Sequence, residues 1–378
     1  MGPSGEMPSA RQEHAGAVLT IDLAAIRANY RLLQGRLGKA SCAAVVKADA
    51  YGLGAARVAP VLAAAGCTHF FVAHLEEALA LSSHLPEGTA LYVLHGPPVG
   101  AEAELLAHRL VPVLNSLPQL DAWTALARAR GRPLPALLQL DTGMSRLGLS
   151  HEEVKAVIDD PARLEGLELR YVMSHLACAE VADHPLNERQ LARFRELCRA
   201  LPRAPASFAN SSAVFLGPDY HFDLARPGAA LYGVAPTVGR PNPLAQVVSL
   251  AARVIQLRTI PAGTSVGYNA RWTAPELRRI ATVAAGYADG YLRSLSNRAT
   301  AWFGDTPLPL VGGVSMDTIT LDVTALRDGE LQPGSLVELI GAHHSIDALA
   351  EQAGTIAYEV LTSLGSRYFR RYVGEEDA

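Results

Sequence analysis

Lys47 sits in the most informative stretch of the chain, Ala44-Val45-Val46-Lys47-Ala48-Asp49-Ala50-Tyr51-Gly52-Leu53-Gly54. An apolar strand ends in a lysine and passes at once into a small-residue, glycine-punctuated turn toward a helix. A lysine at the lip of such a strand is partly desolvated, which lowers its pKa and frees its amine to condense with a carbonyl. A solvated cation with its stem laid along the strand is the other reading of the same pattern. Further residues with chemical potential lie in short turns: Asn210-Ser211-Ser212, Arg226-Pro227-Gly228 and Gly267-Tyr268. Taken singly, these read equally as a helix cap, a surface arginine and a turn tyrosine. The cysteines Cys42, Cys67, Cys178 and Cys198 have no metal-ligand spacing, so no metal is expected.

The elements that must position these residues alternate. Apolar runs occur at Cys42–Val46, His69–Val72, Ala90–Leu94, Val111–Leu114, Ala136–Leu140, Leu169–Met173, Ala206–Ala209 and Phe222–Ala225. Between them lie helical patterns, including Leu23–Leu37, Leu53–Ala65, Leu117–Ala129 and Asn187–Ala200, with Asp22 and Asn187 placed as N-caps. Repeated strand–helix alternation predicts a parallel (β/α)₈ barrel of the TIM type. A doubly wound open sheet has the same alternation, although no GxGxxG opens the first helix. Lys47, Arg146, His175, Ser211 and Arg226 each follow an apolar run, which in a barrel brings them to the C-terminal mouth. After Gly239-Arg240-Pro241-Asn242-Pro243 the pattern changes to short alternating runs separated by turns such as Gln332-Pro333-Gly334. The expected organisation is a mobile tail over residues 1–15, a barrel over 16–243 and a mainly β domain over 244–378.

The Lys47 segment resembles the pyridoxal-phosphate lysine motif of alanine racemases. The resemblance recurs in order at Gln139-Leu140-Asp141-Thr142-Gly143-Met144-Ser145-Arg146-Leu147-Gly148, Met173-Ser174-His175-Leu176-Ala177, Asn210-Ser211-Ser212 and Ala225-Arg226-Pro227-Gly228. It continues at Leu231-Tyr232-Gly233, Ser265-Val266-Gly267-Tyr268, Ala285-Gly286-Tyr287-Ala288-Asp289-Gly290-Tyr291, Val314-Ser315-Met316-Asp317 and Ala357-Tyr358-Glu359. It implies an enzyme that interconverts L- and D-alanine, supplying D-alanine for peptidoglycan synthesis. Racemisation removes the α-proton and returns one to the opposite face, so two acid–base groups are needed. By resemblance Lys47 holds pyridoxal 5'-phosphate as an internal aldimine and serves one face, and Tyr268 serves the other. A phenol has a pKa of about 10, so a cationic neighbour is expected; His175, against Arg226, is the family's candidate.

The remaining roles also come from the resemblance. Arg226 faces the pyridine nitrogen; having donors only, it requires that nitrogen to accept and stay unprotonated. Tyr51, Asn210, Ser211, Gly228, Ala229 and Tyr358 surround the phosphate. Arg146 and the backbone of Met316 meet the substrate carboxylate. Tyr287, Arg293, Asp317 and Ile356 line an entrance. A homodimer with shared active sites is implied, in which the β domain gives its tyrosine to the partner subunit. Three positions depart from the pattern. Gln139 stands where many members carry a carbamylated lysine, Asn269 replaces a glycine, and Gly313 replaces an arginine.

Other functions share parts of this pattern. A serine-preferring or broad-specificity racemase differs from an alanine racemase by little pocket energy. A non-catalytic pyridoxal-phosphate carrier would lack the β domain and its tyrosine, and a barrel-type decarboxylase would gain from a protonated ring that Arg226 opposes. The net charge of -4 gives no basic surface for nucleic acid. No apolar run is long enough to span a membrane. Residues 1–15 lack an apolar signal core, so the expected location is the cytoplasm.

Overall fold

Residues 13–375 are described by the structure, a computed structural model. Of the tail expected over residues 1–15, the first 12 lie outside the described residues. The chain divides into two compact units, one spanning Ile26–Ala245 and the other built from residues up to Ala25 together with those from Gln246 onward.

The first strand, β1 (Ala17–Asp22), belongs to the β-rich unit and not to the barrel segment in which the sequence placed it. It pairs antiparallel with β11 (Val248–Ile260), Leu19 facing Leu250, and parallel with β19 (Phe369–Val373). Its alternation buries Leu19 and Ile21 completely, the pattern of a strand packed on one face. Asp22 ends β1 and caps α1 (Leu23–Leu37), its carboxylate accepting the Ala25 N–H at 2.9 Å.

In the unit Ile26–Ala245, β2 (Ser41–Cys42) and β3 (Ala44–Val45) are two halves of one edge-to-edge strand. From β3 a parallel sheet continues through β4 (His69–Val72), β5 (Ala90–Val93), β6 (Val111–Leu114), β7 (Leu134–Gln139), β8 (Leu167–Met173) and β9 (Ala206–Ser207). β10 (Leu224–Ala225) then closes the ring. On one side the Asp223 N–H donates to the Ala206 carbonyl at 3.0 Å and the Arg226 N–H to Ala209 at 2.8 Å. On the other, the N–H groups of Ser41, Ala43 and Val45 donate to Asp223, Ala225 and Pro227, each at 2.9 Å. An open doubly wound sheet would leave two free edges; this one has none, and the fold is the (β/α)₈ barrel.

The connecting helices are α2 (Ala55–Ala64), α3 (Leu75–Ser82), α4 (Glu102–Ala107), α5 (Leu117–Arg130), α6 (His151–Asp159) and α7 (Pro185–Ala200). Ser150 and Glu153 form a reciprocal capping box on α6. The cap expected from Asn187 is not one. Asn187 lies inside α7 with its amide turned back to the Val181 carbonyl at 3.0 Å, and His184 caps the helix by accepting the Leu186 N–H.

The second unit is mainly β, as expected. The long β11 carries β1 and β18 (Leu336–Ile340) on its first half. A bulge between Val254 and Gln256 then turns it toward β14 (Arg278–Val283) and β17 (Ile319–Asp322). The hairpins β12 (Ser265–Val266) with β13 (Trp272–Thr273) and β15 (Thr300–Phe303) with β16 (Thr306–Pro309) complete it, with α8 (Ile346–Ala353) and α9 (Ala357–Ser363).

Candidate active site

Lys47 leaves the first barrel strand immediately after the fully packed Val46. Ala48, Asp49, Ala50 and Tyr51 then all take left-handed backbone angles, with φ between 51° and 56°. The turn expected here is thus left-handed, and it begins at the residue after the lysine, ahead of the helix Ala55–Ala64. Burial and the neighbouring Arg146 guanidinium lower the Lys47 pKa, against the opposing charge of Glu77. The shift favours the free amine, the form that attacks a carbonyl.

Arg226 follows the last barrel strand and is almost completely buried, 4% exposed. One guanidinium nitrogen donates to the Ser207 hydroxyl at 2.5 Å and another to the Ser174 carbonyl at 2.6 Å. The Ser174 hydroxyl in turn donates to the Leu140 carbonyl at 2.7 Å and contacts Thr142 at 2.8 Å. Gln190, fully buried on α7, ties this network to the next loop. Its amide nitrogen donates to Thr142 at 3.1 Å and to the His175 carbonyl at 2.9 Å, and its oxygen accepts the Ala177 N–H at 2.9 Å. Sequence reasoning missed Ser174, Ser207, Thr142 and Gln190, because polar residues of these types carry no local sign of burial.

His175 sits among these groups. Burial first, then Arg226, Arg146 and Lys47, push its pKa down to about 3. The expected role for His175 as a cationic neighbour is therefore corrected: three cations and desolvation hold it neutral near pH 7.

Ser211, Gly228 and Tyr51 form a concave cradle. The Ser211 hydroxyl oxygen accepts the N–H of Gly228 at 2.9 Å and of Ala230 at 3.2 Å. Both lone pairs are then used and the O–H remains to donate outward. A Cβ at Gly228 would lie 2.5 Å from the Tyr51 phenol oxygen and 3.2 Å from Val45, so only glycine permits this approach. Tyr51 is buried, which raises its pKa to about 12 and keeps the phenol protonated as a donor; its ring packs 4.8 Å from that of Tyr232. Ala229 begins the 3₁₀ turn Ala229–Tyr232 at the cradle floor. Asn210 acts as a cap, its side-chain oxygen accepting the Ala213 N–H at 3.0 Å.

Arg146 is exposed on the loop after β7. One Asp141 carboxylate oxygen gathers the N–H groups of Gly143, Met144 and Ser145 at 2.8, 3.0 and 3.1 Å and so shapes that loop. Gln139 pins its far end by donating to the Leu147 carbonyl at 3.2 Å. The Gln139 amide thus grips the backbone beside Arg146.

In the second unit, Tyr268 projects from a turn after β12 with 73% of its surface exposed. Asn269 has φ 61°, a left-handed value that suits a glycine and that asparagine is among the better non-glycine residues to adopt in its place. At Gly313 the stem of Arg271 lies 3.7 Å from where a side chain would begin, so another residue's arginine occupies that neighbourhood. Met316 and Tyr287 are brought together. The Ser315 and Met316 carbonyls accept the N–H groups of Tyr287 and Ala288, each at 3.0 Å, and Gly286 leaves room for no side chain against Met316. Asp317 pairs with Arg367 at 2.7 Å, and Arg367 reaches Asp289 at 3.0 Å. Arg293 opens a separate 3₁₀ turn, while Ile356 and Tyr358 lie at the start of α9, Ile356 exposed. Arg367 was not anticipated.

Comparison with known proteins agrees along nearly all of the chain. The family model described as alanine racemase, N-terminal domain, matches residues 21–236, and the alanine racemase C-terminal domain matches residues 247–372. The catabolic alanine racemase of Mesorhizobium japonicum is 53% identical over 360 residues, covering 95% of this chain and 94% of the relative. The alanine racemase of Brucella abortus is 51% identical over 372 residues, covering 95% and 94%. The crystal structure of alanine racemase from Bartonella henselae with covalently bound pyridoxal phosphate superposes with a TM-score of 0.92 at 46% identity, covering 95% of this chain and all of that one. Two domain models in order, together with full-length relatives at this identity, establish that the chain belongs to the alanine racemase family.

Proposed function

We propose that this chain interconverts L- and D-alanine, with pyridoxal 5'-phosphate bound at the barrel mouth. One observation carries the reading: a single mouth gathers a lysine of lowered pKa, a buried donor-only guanidinium and a glycine-floored cradle. The residues fit the cofactor. Lys47 has an amine whose lowered pKa favours condensation with an aldehyde, and the cradle at Gly228, Ala229 and Ser211 offers an outward O–H to a phosphate beside the Tyr51 phenol. The relatives' names and the pyridoxal phosphate in the Bartonella protein support the same assignment.

Pyridoxal phosphate, when bound, supplies the delocalisation that lets the α-proton of an amino acid leave near neutral pH. Lys47 takes or returns that proton on one face of the α-carbon, and Tyr268 does so on the other. Arg226 holds an acceptor only, so a ring nitrogen facing it stays unprotonated. Neutral His175 adds no charge to the site. It bridges Arg226 and the acid–base groups as an uncharged hydrogen-bonding ring. Arg146 and the Met316 backbone receive the substrate carboxylate. Asn210, by capping its turn, keeps Ser211 aimed, and Tyr358 adds a second phenol to the phosphate. Tyr287, Arg293, Asp317 and Ile356 form the entrance.

The protein acts as a homodimer with shared sites, the barrel unit Ile26–Ala245 receiving Tyr268 from the β-rich unit of the partner subunit. A phenol exposed over 73% of its surface supports this, since nothing in its own unit buries it. No helix among the described residues is long and apolar enough to cross a membrane. With four free cysteines this suits a reducing cytoplasm. Enantiomers have equal free energy, so the equilibrium constant is unity and supply sets the direction. The same catalyst can feed peptidoglycan synthesis with D-alanine or drain it.

The test is incubation of the purified, cofactor-loaded protein with L-alanine and with L-serine, followed by chiral analysis. D-alanine should accumulate to an equal mixture, with serine turned over more slowly. Borohydride should fix the cofactor on Lys47. No D-alanine, or an adduct on another lysine, would overturn the reading.

A further inference from the structure

Glu77 lies on α3 and has no role in the reading above. Its half-buried carboxylate accepts three backbone N–H groups. One oxygen takes that of Ala48 at 2.6 Å; the other takes those of Ala73 at 2.7 Å and His74 at 3.1 Å. A single side chain therefore ties the loop leaving β4 to the residue next to Lys47. That residue opens the left-handed run Ala48–Tyr51, with φ between 51° and 56° and no glycine in it. Such a run is sterically disfavoured for L-residues and persists only where its surroundings hold it. Two carboxylates do so here. Glu77 grips the start, and Asp49 grips the exit by accepting the Ala55 N–H at 2.7 Å.

Charge at the mouth is unbalanced without Glu77. Arg146 faces Lys47 from the loop after β7, His175 from the loop after β8 and His95 from the loop after β5, with Arg226 behind His175. Glu77 is the carboxylate that opposes Arg146 at the lysine.

We propose that Glu77 is the positioning residue for Lys47, its carboxylate holding the left-handed turn that aims the amine and setting a negative charge against the cations of the mouth. Its role rests on Lys47 being the cofactor lysine. The Ala48 bond holds the start of the turn, the other two fix the carboxylate on the loop after β4, and its charge opposes that of Arg146 at the amine. Both must weaken together when the carboxylate becomes an amide. An amide keeps one acceptor oxygen and turns N–H donors toward backbone N–H groups.

The test uses the full-length chain carrying Glu77→Gln or Glu77→Asp, with Glu76→Gln on the same helix as control. In the cofactor-loaded protein, amide hydrogen exchange of the peptide containing Ala48 should lose protection in Glu77→Gln and not in Glu76→Gln. After cofactor removal, reductive methylation of Lys47 with formaldehyde and cyanoborohydride is followed against pH by peptide mass. The midpoint should move to lower pH in Glu77→Gln, because the amine loses a favourable anion. Glu77→Asp keeps the charge and shortens the reach. It should speed exchange at Ala48 and leave the midpoint near that of the native chain, so the test stands even if the glutamine variant does not fold. Faster exchange with an unmoved midpoint in Glu77→Gln, or unchanged exchange in both variants, overturns the proposal. A borohydride adduct on a residue other than Lys47 would instead refute the site assignment, which separates the two failures.

Discussion

Removing the charge of Arg226, as in Arg226→Met, should return basicity to His175. The imidazole is driven from its ordinary 6.5 down to about 3 by burial, then by Arg226, Arg146 and Lys47 in that order. At about 1.4 kcal/mol per pH unit, that gap holds roughly 4–5 kcal/mol against protonation, an upper bound because water entry and relaxation soften it. The sign follows from proton counting. Between pH 6.5 and about 3 the unfolded chain binds a proton at this histidine that the folded chain does not. Stability linked to His175 is therefore whole above pH 6.5 and lost as pH falls toward 3, by up to about 1.4 kcal/mol per pH unit. Carboxylates also titrate in this range, so the measurement is a difference. Urea unfolding of the native chain and of His175→Asn, at one fixed protein concentration and at several pH values from 7 to about 4, isolates the histidine. The native chain should lose stability relative to His175→Asn as the solution is acidified. Arg226→Met should level off at a higher pH, since only burial, Arg146 and Lys47 then remain. Labelled-histidine resonances give the direct check: the signal absent from His175→Asn should not titrate above about pH 4. A signal titrating near 6.5, or parallel stability curves, would refute the reasoning and restore a cationic His175 to the mechanism.

Gly228→Ala places a methyl group 2.5 Å from the Tyr51 phenol oxygen, and strain of about 1–3 kcal/mol should weaken pyridoxal-phosphate binding roughly 10- to 100-fold with the fold retained, measured by cofactor titration. Mixing inactive Lys47→Ala and Tyr268→Ala chains should recover activity, because one hybrid site then holds both intact residues; mixed dimers that stay dead would remove Tyr268 from the partner's site. Tyr268→Phe should split solvent-deuterium wash-in between D- and L-alanine, since only the face served by Lys47 can still exchange; equal rates would contradict two bases. Gln139 anchors the Arg146 loop through the Leu147 carbonyl without an anion, so activity should not change in bicarbonate-free buffer, and a loss on removing bicarbonate would show that a carbamate forms elsewhere.

The barrel was legible because parallel strands covered on both faces read as unbroken apolar runs; Val111–Leu114 is buried at every position. The helix Leu117–Arg130 was legible because Ser116 starts it and Gly131, at φ 64°, ends it. The strand β1 was not, since its partners at Val248 and Phe369 lie hundreds of residues away and nothing local names them. The left-handed turn was not, since Ala48, Ala50 and Tyr51 are residues that ordinarily avoid it. The site divides along the same line. Groups that meet reactants are constrained in type, because only an amine condenses with an aldehyde and only a guanidinium offers a fixed fork of donors. Lys47 is therefore conspicuous in the sequence, while Arg226 and Ser211 stand out once the ordered motifs around them are read together. Groups that hold them are constrained only in where a hydrogen bond must fall. Gln190, Ser174, Ser207 and Glu77 look like ordinary polar residues until the strands converge, leaving the first three buried against Thr142, Leu140 and Leu224 and Glu77 half-buried against Ala48. Chemistry is thus written in residue identity, and its preorganisation in long-range geometry. The latter is also where substitutions at unremarkable positions should disturb the catalytic groups most.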